Sequence, residues 1–252
     1  MFESFAPMPD NKHKEAKTML LCKYPKILTF GFDDCEIHDR RLCGLFRKYG
    51  MKATFFLLSG QLSFRCSFHR YGEDTTVERV SPEELKTTYA DMEIATHTVS
   101  HNCPINDLKT TVADSAAYLS SLCGYPVNGL AYPGGVYTED HIRKLPALGI
   151  LYARTTACTH AFGLPEQLLA WDPTCKYDDP DIDHIVDNFL SYQGNEPALL
   201  YIYGHSYELT RKEKPYDWDS FESLLQRLSG RKDVWYATNQ QIAEWITRKN
   251  SH

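Results

Sequence analysis

The sequence predicts an α/β fold, an irregular (β/α) barrel of seven or eight units. Short apolar, β-rich runs alternate with segments of helical periodicity along nearly the whole chain. Such alternation implies parallel strands joined by crossover helices. The 252 residues hold that many units and suit a barrel built as one domain. An open doubly wound sheet is the second architecture compatible with the pattern. The expected division is an N-terminal extension over 1–25 and one barrel domain over 26–249.

The expected strands are 27–32, 53–58, 93–96, 129–132, 151–155, 168–171, 199–204 and 234–238. Between the first two, Leu42, Leu45, Phe46 and Tyr49 mark one face of a helix over 37–49, which Gly50 is placed to stop. Ser81-Pro82-Glu83-Glu84 combines a capping serine, a proline at the first helical position and acids in the first turn. Further helices are expected over 107–122, 182–191, 220–228 and 240–249. Segments 63–80 and 206–219 read as long loops at the rim of a pocket.

Composition narrows the function. A chain that is 42% hydrophobic and 24% charged can bury a large core. A net charge of −6 weighs against general binding of nucleic-acid backbones. The eight cysteines, at 22, 35, 43, 66, 103, 123, 158 and 175, include no CxxC pair, which argues against a ribbon-type zinc site. Several sit in apolar patterns and read as reduced thiols. Residues 1–26 lack the apolar stretch of a signal peptide, which sets the expectation of a cytoplasmic protein. No apolar run approaches the roughly 18 residues of a membrane span.

The reactive residues gather at expected strand ends. Asp33 and Asp34 follow the first strand, His97 and His101 the third, Pro133 and Gly134 the fourth, Asp172 the sixth and His205 the seventh. In a parallel barrel those ends converge on the face where active sites sit. Successive strand side chains point to opposite faces, so Asp33 and Asp34 are expected to divide two tasks, one holding a metal and one handling a proton. Helix capping is the plainer use of Asp34. His97 and His101, at i and i+4, can meet one metal, or each can be a hydrogen-bonded residue near a strand end. A zincin would need Glu after the first His, and position 98 is Thr. Two His and one Asp leave a coordination position open for water. His205 closes an apolar run, as a core residue or as a general acid at the pocket mouth. Tyr132-Pro133-Gly134-Gly135 reads as a turn, whose Gly134 N–H could also approach an oxyanion.

In this order the elements resemble the NodB-homology polysaccharide deacetylases, carbohydrate esterase family 4. Phe30-Gly31-Phe32-Asp33-Asp34-Cys35 is similar to the TFDDG motif, and Gly50-Met51-Lys52-Ala53-Thr54-Phe55-Phe56 to the strand that follows it. His97-Thr98-Val99-Ser100-His101 resembles the H-[ST]-x-x-H motif, Ala131-Tyr132-Pro133-Gly134-Gly135 the third motif, and 200–205 the last strand with its His. The resemblance spans about 26–240 and implies a NodB-like deacetylase fold. It implies that Asp34, His97 and His101 bind a divalent metal, zinc first and cobalt or nickel as alternatives. Asp33 would be the general base, the Gly134 N–H an oxyanion donor, and His205 the acid that protonates the leaving amine. The implied substrate is an N-acetylated sugar or polysaccharide.

Three departures stand out. Cys35 replaces the usual Gly, so the turn must tolerate a side chain, and the thiol could reach the metal. Ala131 replaces the Arg that orients the base in many members. The fourth motif is indistinct, with Trp171-Asp172-Pro173 the best match, Trp171 as a pocket wall and Asp172 as a partner for His205. Tyr132, Pro133, Trp171 and Tyr207 are the residues expected against the substrate, with Trp218 a further rim aromatic. Two other functions share this pattern: a cyclic amide or ureide hydrolase of the same fold, and a non-catalytic glycan-binding module. Retention of both aspartates and all three histidines favours the deacetylase.

Overall fold

Strand β1 (Lys26–Asp33) is buried along its whole length. A parallel strand covered on both faces must be apolar almost throughout, and only Lys26, Thr29 and Asp33 depart from that here. The computed structural model describes residues 24–70, 73–101, 107–211 and 216–250. After β1 come α1 (Asp39–Lys48), β2 (Ala53–Leu57) and the strands β3 (Arg65–Arg70) and β4 (Glu73–Glu78). A 3-10 turn, Pro82–Glu84, runs into α2 (Leu85–Thr88), followed by β5 (Glu93–Thr96). A π turn, Lys109–Ala113, leads into α3 (Asp114–Cys123), then β6 (Gly129–Ala131), α4 (Glu139–Lys144) and β7 (Tyr152–Arg154). The chain continues through β8 (Cys175–Lys176), α5 (Ile182–Ser191), β9 (Ala198–Gly204), α6 (Trp218–Leu228), β10 (Val234–Tyr236) and α7 (Asn239–Asn250).

The main sheet has eight strands in the order β7-β6-β5-β2-β1-β9-β8, with β10 also against β1. All its pairings are parallel. One edge of β1 is shared in succession, β10 pairing with the start of the strand and β2 with its end. The result is a curled, incompletely closed (β/α) barrel.

The two faces of β1 sort by the two-residue period. Leu28, Phe30 and Phe32 join the outer apolar cluster with Leu42 and Phe46 of α1 and Phe221 of α6. Ile27 lies in the inner cluster with Phe56, Tyr152, Trp171, Tyr201 and, from α7, Ile242 and Ile246. On that inner side Thr29 bonds Asn239 at the head of α7. Gly31 has no side chain because a Cβ there would stand 2.8 Å from the Tyr201 hydroxyl. Asp33 follows in the same register, at the C-terminal end of the strand.

Most expected elements occur within a residue or two of their limits, and α5 at the same limits. Two do not. The strand expected over 168–171 is a 3-10 turn, Leu168–Ala170, with only Trp171 bridging to Arg154. The Gln167 side chain accepts from Leu169 N and holds the backbone in that turn. The loop expected over 63–80 contains the antiparallel hairpin β3–β4. Its pairs include Ser67 with Thr76 and Arg65 with Glu78, so no apolar alternation announces it. Of the extension expected over 1–25, only residues 24 and 25 lie within the described residues. No helix among the described residues is long and apolar enough to cross a membrane.

Candidate active site

Strand alternation ends at Asp33. Asp34 takes a left-handed φ of 82°, so it no longer follows the strand to the opposite face. The expected division of the two carboxylates between faces therefore gives way to convergence. His97 Nε2 lies 3.9 Å from Asp33 Oδ2 and 4.0 Å from Asp34 Oδ1. The turn is held by Asp34 N donating to Phe56 O at 3.0 Å and by Arg79 donating to Asp34 O. Cys35 continues the turn with a φ of 49° and tolerates it by burying its side chain in the outer apolar cluster. Burial pushes its thiol up to about 12, as befits a side chain in the core.

His97 follows β5 directly and is 1% exposed. Its Nδ1 bonds the Ala131 carbonyl, 2.8 Å away at the end of the neighbouring strand. Since a carbonyl only accepts, Nδ1 carries the proton and Nε2 presents a lone pair. Burial pulls His97 below its ordinary range against the pull of Asp33 and Asp34, which keeps the ring neutral. The exposed His101 ring meets it edge-on at an interplanar angle of 69°, 5.3 Å between centroids.

Arg154, at the end of β7, is fully buried and was not among the expected site residues. Its Nη2 lies 2.5 Å from Asp33 Oδ2, and Nη1 donates to Thr155 O at 2.9 Å. The guanidinium sits over the rings of Tyr203 and Phe56, at 4.7 and 5.4 Å. It supplies to Asp33 the guanidinium that Ala131 cannot. Burial alone would raise the Asp33 carboxyl, but Arg154, with His97 and His205, outweighs it and holds the group below its ordinary value. The sequence did carry a signal: an arginine closing the apolar run Ile150-Leu151-Tyr152-Ala153 must be paired if that run is a buried strand.

His205 follows β9, and its Nε2 is 3.9 Å from Asp33 Oδ2. Its Nδ1 faces Glu208 Oε2 at 3.3 Å, so the carboxylate partner comes from the 3-10 turn Ser206–Thr210. The expected partner, Asp172, is instead exposed and accepts a hydrogen bond from Thr155 Oγ1. It follows the single bridging residue Trp171 rather than the end of a full strand. Burial lowers the His205 imidazolium, but Glu208, Asp33 and Asp34 prevail and raise it above its ordinary value.

Gly134 is exposed with a φ of 62°, inside the 3-10 turn Pro133–Gly135. Gly135 packs so closely on Thr156 that a Cβ would meet its Oγ1 at 2.2 Å. Pro133 is half-buried at the start of that turn. Tyr132 is fully buried, donates to Leu169 O at 2.8 Å and stacks on Tyr137. Trp171 is 1% exposed among Tyr152 and Tyr201, and Trp218 lies buried under Arg41. These three rings are spent on packing, so none offers a free face to a sugar. Tyr207 is half-buried with its ring 5.3 Å from that of His205. It is the expected substrate aromatic that retains an accessible place at the site.

Among the described residues no three His, Cys, Asp or Glu side chains form a closed metal-binding group. The donor chemistry nevertheless fits one. Asp34 Oδ1 and His97 Nε2 are both buried without a hydrogen-bond partner, and they face each other. An imidazole lone pair opposite a carboxylate is repulsive unless a cation lies between them. Nitrogen and oxygen donors, with the other imidazole nitrogen tied to a carbonyl, are what such a site requires.

A family model described as polysaccharide deacetylase matches residues 22–153, just over half of the chain. No curated protein matches the sequence. A Mycobacterium smegmatis protein superposes with a TM-score of 0.59 at 15% identity, over 90% of this chain and 92% of that one. The polysaccharide deacetylase Bc1974 from Bacillus cereus gives a TM-score of 0.53 at 17% identity, over 86% of this chain and 91% of that one. The peptidoglycan deacetylase PdaC from Bacillus subtilis gives 0.51 at 17% identity, over 90% and 94%. At these identities the structural likeness is one of fold. The family model and the barrel, with its residues at the strand ends, lead to one conclusion: the chain belongs to the polysaccharide deacetylase family.

Proposed function

We propose that this protein is a metal-dependent hydrolase that removes acetyl groups from N-acetylated sugars or polysaccharide. The observation that carries the metal dependence is the facing pair of buried, unpartnered atoms, Asp34 Oδ1 and His97 Nε2. Asp34, His97 and His101 would hold the ion, zinc by the donor set, with cobalt or nickel compatible. When bound it supplies Lewis acidity, which makes water nucleophilic near neutral pH and polarises a carbonyl.

The protein's own residues divide the remaining work. Asp33 takes the proton of the attacking water, and Arg154 keeps that carboxylate ionised and aimed. The N–H of Gly134 is suited to donate to the oxyanion that forms as the acetyl carbon becomes tetrahedral. His205, held protonated by Glu208 and Asp33, gives its proton to the amine nitrogen as the C–N bond breaks. Base and acid stand together, His205 Nε2 3.9 Å from Asp33 Oδ2, with their ordinary protonation preferences pushed apart.

Metal analysis of the purified chain, with acetate release from chitooligosaccharides and peptidoglycan, tests the proposal. About one metal per chain and metal-dependent acetate release are expected. Full activity of Asp34→Ala or His97→Ala after chelation would sink it. Hydrolysis of a cyclic ureide without acetate release would favour the other hydrolase, and glycan binding without turnover the binding module.

A further inference from the structure

His205 is the one proposed proton-transfer group whose support lies outside the β1, β5 and β7 ends. Glu208 is 6% exposed. Its Oε2 is 3.3 Å from His205 Nδ1 and 2.7 Å from Lys176 Nζ, while Oε1 is 2.9 Å from the same Nζ. Lys176 stands on β8, beside Tyr203 of β9, the strand whose end carries His205. It also reaches Asp178 at 3.4 Å. The lysine thus grips both oxygens of a carboxylate that has one oxygen left to share with the imidazole.

From this geometry we infer that Lys176 and Glu208 are a positioning pair that fixes the tautomer, orientation and charge of His205 in place of the absent aspartate partner. The inference rests on the reading of His205 as the acid. The shared Oε2 can only accept, so Nδ1 must carry its proton, and Nε2 is left to face Asp33 and the substrate. Lys176 prevents Glu208 from swinging to water or taking up a proton. The carboxyl accordingly lies low, pushed down to about 2 by His205 and Lys176 against the effect of burial. The other charged or titratable groups that His205 senses are Asp33 and Asp34 at the end of β1, Glu36 just beyond them, and the neighbouring Tyr207.

Both members act on His205 through one carboxylate, so a change at either moves the titration of the imidazole, which simple support of the fold does not. Histidine-selective NMR titration of the full chain reads this directly, with His205→Gln identifying the resonance. Glu208→Gln keeps the shape and the acceptor but removes the charge, and lowers the His205 titration midpoint by about one unit or more. Lys176→Met frees Glu208 to turn to water and lowers the midpoint by less than Glu208→Gln does, while kcat for acetate release from a chitooligosaccharide falls with little change in KM. Glu208→Asp, with the charge retained, recovers part of the midpoint. A Glu208→Gln midpoint within 0.3 of wild type, or a Lys176→Met midpoint that rises, overturns the inference. The titration needs no turnover. A wild-type protein that releases no acetate would therefore count against the proposed function, while the midpoints would still decide this one.

Discussion

The buried Asp33–Arg154 pair gives the sharpest test of the site's construction. Replacing Arg154 with Met keeps much of the side-chain volume between Phe56 and Tyr203 but strands the Asp33 carboxylate, which is 4% exposed. Removing one partner of a buried pair costs about 3–5 kcal/mol, because the remaining charge has lost its compensation. For a chain of this length each kcal/mol moves the melting temperature by about 2–4 °C, so a fall of roughly 6–20 °C follows. Asp33→Asn strands Arg154 in turn, with only the Thr155 carbonyl and two ring faces left to it. Asp33→Asn/Arg154→Met removes both charges at once and should cost clearly less than the sum of the single changes. Urea unfolding of all four proteins after metal chelation closes the cycle. A coupling under about 0.5 kcal/mol, or an Arg154→Met loss below about 1 kcal/mol, would refute the view that this arginine is the electrostatic anchor of Asp33.

Three further outcomes follow from other parts of the fold. Asp39, buried and accepting from Tyr89 and Ser206, is pushed up to about 8, chiefly by burial. Its folded value exceeds an unfolded value near 4, so the stability it contributes when protonated is lost as pH rises from about 4 to 8. Asp39→Asn escapes that loss, and its melting temperature relative to wild type should climb by the equivalent of a few kcal/mol across this window; parallel melting curves would contradict it. Gly135→Ala forces a Cβ onto Thr156 at a φ of 73° and should cost about 1–3 kcal/mol in thermal melts; a neutral result would mean the turn relaxes freely. Alkylation of the native protein should reach exposed Cys158 well before buried Cys35, Cys43 and Cys175. Mass spectrometry of peptides checks the order, and early labelling of Cys35 would place its thiol in the site after all.

The sequence displayed the barrel because its central strands are covered on both faces, and coverage leaves an apolar signature that polar edge elements lack. The same logic explains what stayed hidden. The hairpin β3–β4 earns its strands from cross-strand polar pairs, so no burial pattern betrays it. Asp33, His97 and His205 were legible because each sits where an apolar run stops, and the structure brings both histidines within 4 Å of one Asp33 oxygen. Their partners were not, because partnership depends on pairings distant in sequence. Arg154 reaches Asp33 across 121 positions, and no local spacing encodes that. Glu208 lies only three residues from His205, yet the relation becomes visible only once the chain after β9 is known to turn as a 3-10 helix. The convergence of Asp33 and Asp34 is the most instructive case. Two-residue alternation holds only while the strand lasts, and one left-handed residue at position 34 reverses what it implies. The familiar glycine beside such a pair permits that turn at no steric cost. Here Cys35 takes a positive φ of 49° and buries its side chain in the outer apolar cluster, so the turn forms without that glycine.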